Sequence, residues 1–262
     1  MRLDVVHTTQ YVYDSPVRAS TQYLRVTPRD SARQSVVSWQ LDAPGTPTRT
    51  TDGYGNALHV LTLDKPVSEI RIRVSGTVET RIAYDEGPDP VPLSPLVFTR
   101  STSLTRAEGE LGAFAERFRR GAASRTGMDE LAAAILKKMP FTPGGTHAEN
   151  SAAEAFALGS GVCQDHTHVF VACCRRLGVP ARYVSGYLFS EGAQVASHAW
   201  AEAWVVDRWR SFDVANGRSA GEHHIKLAIG ADYLDACPIR GTRIGGGGES
   251  MVAVASVAQS QQ

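Results

Sequence analysis

A chain of 262 residues with 27 lysines and arginines against 27 aspartates and glutamates carries no net charge with which to hold a polyanion broadly, so nucleic acid is not an expected partner. Hydrophobic residues make up 42% and charged residues 21%, ordinary for a soluble globular protein, and no run of 18 apolar residues offers a membrane span. Such a length suits one large domain or two smaller ones.

The first residues, Met1-Arg2-Leu3-Asp4-Val5-Val6-His7, place charge where a signal peptide needs its apolar region. Of the four cysteines, Cys173 and Cys174 are neighbours in an apolar run and Cys237 stands alone, with no CxxC pair. A disulfide framework is not expected, and a reducing, cytoplasmic location is.

Residues 1–85 are expected to form an amino-terminal β-sandwich-like domain. Tyr11–Tyr13, Gln22–Val26, Val36–Leu41, Ala57–Leu63 and Ile70–Val74 are short segments rich in β-branched and aromatic residues, several alternating apolar with polar, and Asp52-Gly53-Tyr54-Gly55-Asn56 is a turn between two of them. Residues 86–104 are a proline-rich connector that continues as an irregular segment. Residues 105–244 form the core domain. Its helices are predicted over Leu111–Arg120, over Met128–Met139 with Leu131, Ile135 and Leu136 on one face, and over Ala152–Leu158. A further helix runs from Cys163 to a stop at Gly178-Val179-Pro180. Strands are predicted over Ala181–Leu188, His198–Val206 and Arg208–Phe212. Residues 245–262 are expected to be a flexible glycine joint, Gly245-Gly246-Gly247-Gly248, followed by a strand over Met251–Val257 that pairs with an edge of either domain.

The chemistry gathers in the core. Gly161 lets the chain turn into a helix with Cys163 in its first turn, where unpaired N–H groups and the positive end of the helix dipole favour a thiolate. His198 and Asp213 follow, each in a strand-like context. A free thiol with a pKa of about 8.5 is only slightly ionised at neutrality, so a cysteine nucleophile needs help. His198 would take the thiol proton, Asp213 would hold the imidazole, and the Cys163 N–H would serve as one oxyanion donor. Any of the three alone is an ordinary structural residue; the ordered set carries the reading. Asp165, His166 and Trp200 are further candidates for the walls of a substrate cleft. Ser160 and Ser185 lack a base context. A metal site is not expected, because Cys163, His166, His168 and Cys173 do not share one helical face; His223-His224 could line the site, although a solvated loop is the stronger reading.

Gly161-Val162-Cys163-Gln164-Asp165-His166, Gly178-Val179-Pro180-Ala181-Arg182-Tyr183-Val184-Ser185-Gly186-Tyr187, Ser197-His198-Ala199-Trp200-Ala201-Glu202 and Phe212-Asp213 with Asn216-Gly217 resemble the core signature of the bacterial transglutaminase-like cysteine proteins. Residues 1 to about 80 are similar to the β domain that accompanies this core in bacteria, and His224-Ile225 through Gly241 to its closing segment. Val214-Ala215 departs from the Pro-Thr usual there. The resemblance implies an α+β fold with a papain-like, transglutaminase-like core and a Cys163–His198–Asp213 catalytic triad. It implies a peptidase or amidase acting on a peptide or protein substrate through a thioester, without cofactor or metal. Protein-glutamine transglutamination, and a non-catalytic binding module on the same scaffold, stay open as alternatives. Oligomeric state is not legible in the sequence.

Overall fold

The computed structural model describes residues 1–82, 89, 93–143, 149–190 and 197–260; residues 86–88 and 90–92 of the proline-rich connector and the Gly144-Gly145 loop lie outside these. Two β-sheets and a set of helices account for the fold. The amino-terminal sheet holds β1 (Arg2–Leu24), β2 (Gln34–Asp42), β3 (Thr48–Thr51), β4 (Ala57–Leu63) and β5 (Val67–Thr80). Its order is β2-β5-β1-β4-β3.

β1 is one strand of 23 residues where the sequence suggests separate short ones. Asp14-Ser15-Pro16 falls at an irregularity at which β1 changes partners. Residues before it pair with β5, and residues from Ser20 to Leu24 pair with β4. Leu24 and Leu61 pack against Ile70, Ile72 and Val74, so the two halves of β1 lie in layers that enclose a core, as a sandwich does.

The carboxyl terminus closes this sheet. β10 (Ile239–Gly245) pairs with the second half of β1, and β11 (Glu249–Gln259) with the first half. Residues 239–244, grouped with the core domain in the sequence reading, therefore lie in the amino-terminal sheet. The glycine run is not a flexible joint either. Gly245, Gly246 and Gly247 take φ of 87°, 95° and 62°, a turn that side chains resist, and Asp14 and Ser15 donate to the carbonyls of Gly248 and Gly246.

The core domain sets four helices on one face of a four-stranded antiparallel sheet. Its helices are α1 (Gly109–Glu116), α2 (Arg125–Lys138), α3 (Ala152–Leu158) and α4 (Cys163–Arg176). The strands are β6 (Ala181–Leu188), β7 (Ser197–Trp204), β8 (Trp209–Phe212) and β9 (His224–Gly230), in the order β8-β7-β6-β9, and the short helix α5 (Tyr233–Ala236) follows β9. α4 is buried along nearly its whole length. Val169, Phe170 and Cys173 pack against Ala201, Ala203 and Phe212 of the sheet, and Leu131, Ile135 and Phe156 of α2 and α3 cover the far side.

The two sheets share a third apolar cluster. Leu3, Val5, Val78, Ala255 and Val257 of one pack on Tyr187, Ile225 and Leu227 of the other. Buried in that layer, His7 bonds the Tyr187 hydroxyl at 2.8 Å, and burial pushes its pKa down to about 4. No helix among the described residues is long and apolar enough to cross a membrane.

Candidate active site

Cys163 is the first residue of α4 and is half-buried. The entry into the helix is tight. Asp165 accepts from the N–H of Val162 at 2.8 Å, and its carboxylate lies so close to Gly161 that a Cβ there would stand 2.7 Å from the Asp165 Cβ. Asp165 thus closes the first turn, and Cys163 stands over N–H groups that the helix leaves without a partner. Burial pushes the Cys173, Cys174 and Cys237 thiols up, so the other three sulfurs are held as thiols.

His198 comes from the exposed start of β7 and hydrogen-bonds the Cys163 side chain. Its Nε2 lies 2.9 Å from Oδ2 of Asp213, which leaves Nδ1 for the sulfur. Burial opposes a charged ring, but the hydrogen bonds and charges of Asp213 and Cys163 outweigh it and raise His198 to about 9. Asp213 follows β8 and is fully buried. Burial opposes its charge too, and bonds from His198 and His224 prevail, holding the carboxyl well below its usual range.

The carboxylate has more partners than the sequence reading assigned. Asn216 Nδ2 donates to Oδ2 at 2.8 Å, and Nε2 of His224 lies 2.9 Å from the same oxygen. His224, read as a solvated loop residue, is buried at the start of β9. No pattern in the sequence marks it: the alternation Ile225, Leu227, Ile229 belongs to the opposite face of the strand and does not say that His224 turns inward. Trp200 supports both imidazoles. Its ring lies nearly parallel to His198 with centroids 6.1 Å apart, and edge-on to His224 at 5.2 Å.

Models of two families match this chain: the bacterial transglutaminase-like N-terminal region over residues 3–79, and the transglutaminase-like superfamily over residues 112–214. An uncharacterized protein of Mycobacterium leprae is 30% identical, the alignment covering 98% of both chains. The chain belongs to the bacterial transglutaminase-like proteins. A second relative, an uncharacterized protein of Mycobacterium tuberculosis, is 28% identical over 92% of this chain and 87% of its own. The fold is shared with a Cytophaga hutchinsonii protein proposed to be a cysteine protease, at a TM-score of 0.78 and 20% identity, covering 100% of this chain and 91% of that one. The architecture is accordingly the transglutaminase-like, papain-like core with a strand-rich amino-terminal domain, and the core is that of cysteine-based enzymes.

In this transglutaminase-like protein the three residues expected to act together do meet, whereas the three suggested for the cleft do not line one. Asp165 is 1% exposed and spends its carboxylate on the helix start; His166 is fully buried, with Nε2 donating to the Met139 carbonyl at 2.6 Å. Trp200 is 2% exposed beneath the imidazoles. Helical position puts Asp165 and His166 near Cys163 without saying that the α4 first turn packs inward.

His198, Asp213 and His224 bring their ligand atoms within 4.8 Å of one another, a spacing a metal ion could use. The proton positions of this transglutaminase-like site oppose that use. The Gly221 N–H donates to His224 Nδ1 at 3.0 Å, so the ring proton sits on Nε2, where it donates to Asp213 and where a metal would need a lone pair.

Proposed function

We propose that this protein is a thiol-dependent hydrolase of peptide or isopeptide bonds, with Cys163, His198 and Asp213 as its catalytic triad. The observation that supports this best is the unbroken chain from a helix-terminal sulfur through His198 to a buried, ionised Asp213. The Cys163 thiolate attacks the carbonyl carbon, and the Cys163 N–H takes part of the developing oxyanion charge. The C–N bond then breaks as His198-H⁺ gives its proton to the departing amine, leaving a thioester on Cys163. Neutral His198 next takes a proton from water, the hydroxyl attacks the thioester, and the carboxylic acid departs as thiolate and imidazolium re-form.

No cofactor or metal has a step in this scheme. A reducing, cytoplasmic setting belongs to the same proposal, and the four unpaired cysteines support it.

A panel of chromogenic peptides, run beside an amine-incorporation assay, tests the reading. Cys163→Ala should lower hydrolysis by about a thousandfold or more. Equal turnover by parent and variant would end the triad assignment. Product found mainly as amine conjugate would make the protein an acyl transferase. Turnover in neither assay, with Cys163 alkylated no faster than Cys237, would leave a binding module.

A further inference from the structure

We propose that His224 is a positioning residue, a permanently neutral imidazole that locks Asp213 so that its Oδ2 faces His198. The inference rests on the triad reading above but concerns a residue outside it.

Two imidazoles meet one carboxylate oxygen at the same distance. His198 Nε2 and His224 Nε2 each lie 2.9 Å from Asp213 Oδ2, and they come from β7 and β9, strands on opposite sides of β6. The two rings differ in what lies behind them. Behind His198 is the Cys163 thiol, which can surrender a proton to it. Behind His224 is the Gly221 N–H, a donor that cannot accept one. Protonating His224 on Nδ1 would break that bond and set two N–H groups against each other, so His224 stays a donor through Nε2 whatever the state of the sulfur. Its surroundings reinforce this. The side chain is 2% exposed, Trp200 covers one edge, and the His198 ring lies 5.9 Å away.

The carboxylate needs such a lock. Every donor found for Asp213 among the described residues reaches Oδ2; Oδ1 is buried without a partner. The two oxygens of the ionised carboxylate are equivalent, so a full exchange changes nothing, but a partial turn about the Asp213 side chain would leave neither oxygen in line with His198. Asn216, the third donor, sits on an exposed turn, whereas His224 is held in a strand. The charged and titratable groups that face His224 are Asp213 and Arg218 after β8 and His198 on β7; Lys226, along its own strand, is turned to Glu202.

The test needs no substrate. The rate of Cys163 alkylation by iodoacetamide is followed from pH 4 to 10 in the parent, in His224→Phe, which keeps a ring without a donor, and in His224→Gln, whose amide N–H reaches the place of Nε2. The His198 titration is followed in parallel by NMR in a Cys163→Ala background. Losing a hydrogen bond to a charged group is worth about tenfold or more. His224→Phe should therefore narrow the pH range of fast alkylation from both sides and lower the rate at pH 7 about tenfold. In the NMR experiment the His198 pKa should fall toward the ordinary imidazole value. His224→Gln should restore most of both. An unchanged profile in folded His224→Phe overturns the proposal, and so does a folded His224→Gln that behaves like His224→Phe. Should His224→Phe not fold, His224→Gln decides: parent-like behaviour supports the lock and loss of the profile overturns it. A parent without any plateau condemns the activated-thiol reading instead, while the His198 titration still judges His224.

Discussion

At the scale of single residues, the site ties protonation to stability. His198 is raised from its ordinary value to about 9, so its favourable pairing is fully present below the unfolded value of about 6.5 and is lost as pH climbs through 9. Asp213 is depressed, so its contribution is present above the ordinary carboxylate range and disappears only in acid. The melting temperature of the parent should therefore fall between pH 6.5 and 9, and His198→Gln, which removes the titrating ring, should show a flatter profile over that window. An equally steep decline in the variant would place the titrating group elsewhere. Cys163, His198 and Asp213 were legible in the sequence because each carries its local context with it: a helix start, a strand start and a strand end. His224 was not. Its partner is eleven residues upstream in the chain, and nothing in Glu222-His223-His224 says which of two adjacent histidines turns inward.

At the scale of elements, the helices were the legible part. Periodicity and stop signals put α3 and α4 within a residue or so of their observed ends, because capping chemistry is written locally: Ser151 and Glu154 bond each other's backbone at the start of α3, and Gly159 ends it in the left-handed region. The strands were less so. β1 looked like two pieces because its length is sustained by β10 and β11, which arrive from the other end of the chain. β3 went unread because its four residues are all exposed and give no alternation. A prediction belongs to the start of α4. Gly161→Ala inserts a methyl 2.7 Å from the Asp165 Cβ, so either the carboxylate leaves the Val162 N–H or the helix start shifts. The expected cost is about 1–3 kcal/mol in denaturant unfolding, together with slower Cys163 alkylation. A variant with parental stability and thiol reactivity would show that the α4 entry has slack the packing denies.

At the scale of the whole molecule, the amino-terminal domain does more than sit beside the core, since it completes the edge of the β6–β9 sheet. β9 pairs with β6 on one side only. On its other side two carboxamides take the place of a strand. Gln34 accepts from the Lys226 N–H and donates to the Lys226 carbonyl, at 2.8 and 2.9 Å, and Asn56 does the same for Ile229 at 2.8 Å in both directions. Both side chains are nearly fully buried, so without them four backbone groups would be left dry and unpaired. Each domain therefore needs the other, and the strand so clamped is the one that carries His224 at its start. Gln34→Met and Asn56→Leu keep the side-chain volume roughly while removing the amides. Each should cost about 2 kcal/mol or more in urea unfolding, because a buried backbone donor and acceptor lose their partners together. Amide hydrogen exchange should localise the loss, accelerating at Lys226 in the first variant and at Ile229 in the second. Parental stability with unchanged exchange at both positions would mean that β9 holds its place through the apolar cluster of Leu3, Val5, Ile225 and Leu227 alone, and that the amides merely fill the seam.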